Sequence, residues 1–412
     1  MNNFLIFVSL ALFAFAGYLV WPSRYNVITH GFVAGGFISI FVPSVILNVP
    51  GKYPPDIVDL YTNVLLVGII TYIPAQTAGF FLGRRWPTKF SFDVMNPADY
   101  EQRVVRITKI FMCAGIIGLT LSYIGMGFMP VFAAEPIAAK LFRGQYQEPY
   151  LRVAVLFRVS FFLVSTIMPI ACIIWYKYRS KLFLFLIASG VFLMIASLQR
   201  AGAFSGIVFA FIVIMSFKSR AHFVALMGIL VFVFVLSSFF YYIVGVKTFQ
   251  GDEDVWEVIG ASAPDIDDQL QFMVKFDEAP VWTYGRTMYG GLIPGHYKWN
   301  PSVYTLSIIA PGRDVNEVGS GGLRLPLPLW GYVSFQWIGV IAFCVLTGFL
   351  NGVFLGFLKT WTMKYGSILI RATAIIAFGA VAGPIVGFTL LNMFFLPPAV
   401  IMLFYLFRIR WK

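Results

Sequence analysis

Long apolar tracts of about twenty residues recur along the 412-residue chain and limit what it can fold into. A helix of about twenty apolar residues crosses a hydrocarbon core of roughly 30 Å. No water satisfies backbone groups there, so tracts this long must be helical, because barrel strands are about half as long and alternate in polarity. With 59% hydrophobic and 12% charged residues, the sequence predicts an all-α integral membrane protein.

Eleven tracts meet this description. We predict transmembrane helices at about 3–21, 26–48, 60–82, 107–126, 153–176, 182–198, 201–217, 222–246, 330–357, 366–385 and 388–407. Basic residues cluster after every second span from the third onward, and such loops are typically cytoplasmic. The sequence therefore predicts one polytopic membrane domain, 1–412, with its N-terminus outside and its C-terminus in the cytoplasm.

The outer segment 247–327 is far longer than the connections between packed helices, so we expect chemistry there. It carries eleven acidic and six basic residues. It also lacks the basic and aromatic pattern of a nucleic-acid platform, so the net charge of +12 predicts no nucleic-acid partner. Asp265 and Asp267 resemble a paired-carboxylate metal motif, but this short spacing is common and we predict no metal site.

Two short helical patterns lie within this segment. In "DIDDQLQFMVKFDEA", Leu270, Met273 and Phe276 share one helical face. This helix either lies along the membrane surface or caps the protein. Further on, "TYGRTMYGGLIPGHYKWNP", residues 283–301, contains glycines and prolines that predict turns in place of a regular element.

The same stretch combines cations with aromatic rings. Arginine binds phosphate through paired hydrogen bonds, and aromatic faces stack on sugar rings, so the composition predicts a site for an anionic glycolipid. The alternative is an aromatic belt at the membrane interface. Candidate binding residues are Lys298, Tyr284, Tyr289 and Trp299, and Arg286 is a candidate catalytic residue.

Candidate groups for proton transfer and for further anion binding complete this hypothesis. Of the three histidines, only His296 falls on the predicted outer side, and histidine is suited to accept a proton from a sugar hydroxyl. Glu317 and Asp314 are the alternative bases. Cations in outer segments that would serve the same anion are Arg143, Arg200, Arg313 and Arg324.

These residues resemble a known family. "YGRTMYGGLIP", "WNP", the glycine-rich turn and "YVSFQWIGVIAFCVLTGFLNG" are similar to the Wzy-type O-antigen polymerases, and "GFMPVF", "AAKLFRG" and "SLQRAG" occur upstream in the same order. The resemblance covers most of residues 120–355. It implies a glycosyltransferase of the lipid-linked-sugar class, GT-C-like and related to the O-antigen ligases. It also implies a bacterial inner membrane, with the N-terminus and the loop 247–327 in the periplasm.

The resemblance further implies the reaction and its participants. Such enzymes join undecaprenyl-pyrophosphate-linked repeat units and release undecaprenyl pyrophosphate, without a cofactor, in contact with membrane lipids and with a chain-length regulator protein. Outer-loop arginines hold the pyrophosphates, and the matching positions here are Arg143, Arg200, Arg286, Arg313 and Arg324.

The chain departs from the family pattern at two places. The family's Ile-Pro-Arg becomes Ile-Pro-Gly before His296, so the role of that arginine falls to Lys298 or Arg313. The small-aromatic-glycine entry to the next span becomes Phe335-Gln336-Trp337.

Two other functions remain as alternatives. A ligase-like enzyme would use the same donor with a lipid A core as acceptor. A lipid-linked oligosaccharide flippase or other transporter would carry charges at mid-membrane depth, and the predicted spans have few, such as Arg158 and Arg371 near span ends. The sequence therefore favours an enzyme.

Overall fold

The computed structural model describes residues 53–85, 92–94, 96–198, 206–208, 210–211, 214, 266–312, 322–362, 367–386, 391, 396–406 and 409–411. In chain order their helices are α1 (Pro55–Arg85), α2 (Pro97–Met126), α3 (Pro136–Lys140), α4 (Gln147–Tyr178), α5 (Lys181–Ala196), α6 (Ile266–Glu278), α7 (Pro301–Ile309), α8 (Leu327–Thr362), α9 (Ile368–Val386) and α10 (Leu396–Leu406). Two three-residue strands, β1 (Phe92–Val94) and β2 (Ile409–Trp411), pair antiparallel.

The chain forms two compact units. The first comprises Met1–Trp86, Phe223–Phe357 and Val386–Asn392. The second comprises Pro87–His222, Leu358–Ile385 and Met393–Lys412. Helices α1, α6 and α7 and most of α8 belong to the first unit, which also holds most of the predicted site residues that the structure describes.

Four helices of the described residues, α1, α2, α4 and α8, are long and apolar enough to cross a membrane. They confirm the all-α membrane class. The count of eleven spans is not reproduced among the described residues: α5, α9 and α10 are apolar but shorter than these four helices. The predicted spans 3–21, 26–48 and 222–246 lie outside the described residues, as does most of 201–217.

Helices α1 and α8 pack through glycines. A Cβ atom on Gly352 would lie 2.0 Å from the carbonyl oxygen of Gln76, and one on Gly79 would lie 2.2 Å from that of Phe349. The two backbones therefore touch, as in small-residue packing of membrane helices. We call these contacts the glycine seam, and its members are Gly79, Gly83, Gly348, Gly352 and Gly356.

Helix α8 is broken eight residues after its first residue. Phe335 (φ −144°, ψ 28°) and Gln336 (φ 55°, ψ −142°) have non-helical backbone angles. Gly331 precedes the break and Gly339 follows it, and a Cβ atom on Gly339 would lie 2.1 Å from the carbonyl oxygen of Gly331. The two parts of α8 therefore meet at a contact that leaves no space for a side chain.

The described part of the predicted outer segment packs against the first unit's helices. Leu270, Met273 and Phe276 of α6 are all buried, which confirms the predicted apolar face. They share one core with residues of α1, α7 and α8, including Tyr304 and Trp330. Helix α6 therefore caps the protein, because its apolar face is occupied by protein side chains and is not free to enter lipid.

The second unit is built on α2, α4 and α5. The hydroxyl of Tyr123 on α2 donates to the carbonyl of Leu193 on α5 at 2.7 Å. Phe142, just after the end of α3, stacks on Tyr150 of α4 with ring centroids 3.8 Å apart. At the opposite end of α4, the ammonium of Lys177 lies 2.6 Å from the carboxylate of Glu101 on α2.

Candidate functional site

The "WNP" motif acts as a structural corner. Trp299 is only 9% exposed and belongs to the core of the first unit. Asn300 caps α7, because its Oδ1 accepts the backbone N–H of Ser302 at 3.0 Å. Pro301 then occupies the first helical position, where no N–H is needed.

Turns surround this corner, as the sequence predicted. Short 3₁₀ turns run over Arg286–Met288 and Tyr297–Trp299. The buried Tyr304 of α7 donates its hydroxyl to the carbonyl of Val281 at 2.9 Å. Burial raises the pKa of the Tyr304 phenol, so the group stays neutral and keeps donating. The segment just before the stretch 283–301 is thereby tied to α7.

Two cations share the ring of Trp299. The guanidinium carbon of Arg286 lies 4.8 Å from the ring centroid, and the Lys298 ammonium lies 5.5 Å from it. Both side chains are exposed, and neither pairs with a carboxylate among the described residues. A cation over a ring keeps its full charge, so both remain able to bind an anion.

Arg324 supplies a third exposed cation in the same unit. Its backbone carbonyl accepts the Gln269 Nε2–H at 2.7 Å, and the Tyr61 hydroxyl donates to Gln269 Oε1 at 2.7 Å. The buried Gln269 thus joins α6 to α1 and fixes the backbone at Arg324. In the described residues no carboxylate pairs with the Arg324 guanidinium.

The predicted aromatic surfaces divide into two groups. Tyr284 is 63% exposed and Tyr289 is 38% exposed, so both rings have accessible faces. Trp299 was predicted as a stacking surface as well, but its burial leaves it a core residue that supports Arg286. The half-buried His296 meets the edge of Tyr289, with ring centroids 5.7 Å apart.

A cavity of about 360 Å³ opens where α8 is broken. Its lining residues are Trp282, Tyr284, Ser334, Phe335, Gln336, Ile338, Gly339 and Ala342. The sequence did not predict this cavity, because the apolar pattern of α8 continues through the break. The available signal was Phe335-Gln336-Trp337, where the family pattern that the chain resembles has a small residue, an aromatic residue and a glycine.

The stretch and the broken helix are held together by hydrogen bonds. The break leaves helical carbonyls without their usual partners, and the Thr283 N–H donates to the Val333 carbonyl at 3.0 Å. The hydroxyls of Thr283 and Ser334 are 2.8 Å apart. Because Ser334 donates its one proton to the carbonyl of Trp330, Thr283 must donate to Ser334.

The remaining predicted residues lie in the other unit or outside the described residues. Arg143 lies in the second unit and is half-buried, and its backbone N–H donates to the Ala138 carbonyl at 2.9 Å. Arg200, Arg313 and Glu317 lie outside the described residues. Over the part of the chain that the structure describes, no cluster of three or more His, Cys, Asp or Glu residues could hold a metal.

These features define a helical membrane protein whose long segment outside the predicted spans carries exposed cations beside exposed tyrosines. Comparison of the chain with family models, with characterised proteins and with solved structures finds no match.

Proposed function

We propose that this chain is a polytopic glycosyltransferase of the bacterial inner membrane that polymerises undecaprenyl-pyrophosphate-linked repeat units in the periplasm. The proposal includes eleven spans, a periplasmic N-terminus and a cytoplasmic C-terminus. The observation that carries it is Arg286, which is held on Trp299, exposed and without a carboxylate partner among the described residues. A fixed, uncompensated guanidinium suits a pyrophosphate, which it binds through paired hydrogen bonds.

The proposed reaction transfers the growing glycan to the next lipid-linked repeat. A hydroxyl oxygen of the acceptor repeat attacks the anomeric carbon of the donor glycan. The bond between that carbon and the pyrophosphate oxygen breaks, and undecaprenyl pyrophosphate leaves with the electron pair. His296 takes the hydroxyl proton, with Glu317 as the alternative base.

The cations supply the electrostatic part of catalysis. Negative charge grows on the leaving pyrophosphate as the bond breaks, and fixed cations stabilise that charge more in the transition state than in the ground state. Arg286, Lys298 and Arg324 take this role in the first unit. Arg143, Arg200 and Arg313 are further proposed ligands for the two pyrophosphates. Because arginines provide the charge, we propose turnover without a metal.

The aromatic residues bind the glycan in this proposal. Tyr284 and Tyr289 present exposed ring faces in the same stretch as Arg286. A sugar ring can stack on them while its pyrophosphate reaches the cations. This combination favours a lipid-linked sugar over a bare inorganic anion, which has no surface for an aromatic face to contact.

The test measures glycan length. Purified protein is incubated in detergent with lipid-linked repeat units and EDTA, and the products are separated on a gel. Wild type is compared with Arg286→Ala, Arg286→Lys and His296→Ala. The matched control is Arg152→Ala, because Arg152 is exposed but already paired with Glu148 at 2.7 Å.

We expect wild type to form a ladder and Arg286→Ala to form it about 10- to 100-fold more slowly, the loss expected for a charge-assisted hydrogen bond. Arg286→Lys should be intermediate, since it keeps the charge but loses the planar fork. Arg152→Ala should match wild type. A wild type that forms no ladder would refute the polymerase. Transfer to lipid A core in that case would identify a ligase, and transbilayer movement of the substrate a flippase.

A further inference from the structure

Two residues that line the α8 cavity have energetically unfavourable backbone conformations. Gln336 combines φ 55° with ψ −142°, and Tyr284 has φ 48°. Positive φ strains residues that have a Cβ atom, and the region near that of Gln336 is adopted almost only by glycine. A glycine at position 336 would adopt these angles without strain. The chain nevertheless carries a side chain there.

Both strained residues line the same cavity. The described residues include five non-glycine positions with positive φ, so two of the five meet at this one place. Residues in such conformations persist where the surrounding structure holds them, and they concentrate at ligand sites. Here the Thr283–Ser334 hydroxyl pair and the bond from the Thr283 N–H to the Val333 carbonyl provide that support.

The cavity offers one amide among aromatic and aliphatic walls. Gln336 is exposed, and its amide has no hydrogen-bond partner within the described part of the chain. Trp282, Tyr284 and Phe335 supply ring faces, while Ile338 and Ala342 supply aliphatic surface. The Gln336 amide has both a donor and an acceptor: its N–H can donate to a hydroxyl oxygen, and its carbonyl can accept from a hydroxyl O–H.

We propose that this cavity binds one sugar residue of the lipid-linked glycan and that Gln336 is a specificity-determining residue for its hydroxyl groups. The inference rests on the proposed function and adds a subsite to it. A sugar has an apolar ring face for the aromatic walls and hydroxyls for the amide. An isoprenoid chain would instead bury the amide without a partner, which is unfavourable.

This assignment predicts opposite effects on stability and binding. Gln336→Gly removes both the strain and the amide, so its melting temperature should rise while its affinity for the glycan falls. Gln336→Asn keeps an amide in a residue that tolerates positive φ better than glutamine does. A residue with a purely structural role would not separate stability from affinity in this way.

The experiment uses the full chain and lipid-linked glycans extracted from source cells that lack this gene. Initial rates are measured against glycan concentration for wild type, Gln336→Gly and Gln336→Asn. We expect Gln336→Gly to raise KM about tenfold with little change in kcat, the effect of losing a hydrogen bond made equally in the ground and transition states. Gln336→Asn should remain within about threefold of wild type. An unchanged KM in Gln336→Gly would overturn the assignment.

A second measurement separates this inference from the proposed function. The melting temperature of each protein is recorded with the extracted glycan and with undecaprenyl phosphate, which carries no sugar. A glycan-dependent rise in wild type that Gln336→Gly lacks supports the subsite even when no polymer forms. Loss of the response to undecaprenyl phosphate in Gln336→Gly would mean that the amide contacts the lipid carrier, and would refute the sugar subsite. No response of wild type to the glycan would refute both proposals.

Discussion

The contact between the two parts of α8 predicts a large effect from a single methyl group. A Cβ atom on Gly339 would lie 2.1 Å from the Gly331 carbonyl oxygen, whereas real Cβ contacts stay above 3.0 Å. Gly339→Ala must therefore separate the two backbones by about 0.9 Å, the difference between these two distances. Overpacking of this kind costs about 1–3 kcal/mol, partly offset by the roughly 0.5–1 kcal/mol that alanine gains over glycine in a helix.

Gly331→Ala should destabilise the protein less than Gly339→Ala. Its Cβ atom would lie 2.5 Å from the Gly339 carbonyl oxygen, so a smaller separation suffices. The matched control is Gly379→Ala in α9, where a Cβ atom meets nothing within 4 Å. This control should be neutral or should stabilise by about 0.5–1 kcal/mol, because only the helix-propensity gain remains.

Thermal unfolding in detergent, followed by tryptophan fluorescence at one scan rate, measures these differences. The expected order of melting temperatures is Gly379→Ala highest, then wild type, Gly331→Ala and Gly339→Ala. Equal melting temperatures for Gly339→Ala and Gly379→Ala would show that the two parts of α8 do not touch. The account of the break would then be wrong.

Three further contacts are tested by chemical denaturation. Ser334→Ala leaves the buried Thr283 hydroxyl without its acceptor and should lower the free energy of unfolding by about 1–3 kcal/mol. Thr283→Val leaves Ser334 bonded to the Trp330 carbonyl and should lower it by less than about 1 kcal/mol. Equal losses of stability in the two variants would contradict the assigned direction of the bond. Asn300→Ala removes the side-chain cap of α7 and should lower the free energy of unfolding by about 1 kcal/mol. Asn300→Asp keeps a capping oxygen and should retain most of the wild-type stability. Gly352→Ala should destabilise by about 1–3 kcal/mol through the glycine seam, and an unchanged stability would show that the two helices are farther apart.

Features that depend on local sequence pattern were predictable. The apolar face of α6 followed from the spacing of Leu270, Met273 and Phe276, and the structure confirms it. The turns of residues 283–301 followed from glycine and proline. The four-residue spacing of Gly348, Gly352 and Gly356 also indicates a packing face of a helix.

Features that depend on distant contacts were not predictable. Gln269 reads as one polar residue of an amphipathic helix, yet it bonds to Tyr61, 208 positions away. Trp299 reads as an interfacial aromatic, and only the packing of α7 and α8 shows that it is buried. The break at Gln336 lies within a continuous apolar tract, where hydropathy carries no information about backbone angles.

The break in α8 also shortens the straight helix that is available to cross a bilayer. An unbroken helix of 36 residues would be about 54 Å long, which exceeds a hydrocarbon core of roughly 30 Å. Residues 337–362 alone, about 39 Å long, can span it with some tilt. Because Gln336 lies at the end of this straight helix, the cavity should move relative to the lipid headgroups when bilayer thickness changes. Turnover in vesicles should therefore vary with the chain length of the lipids.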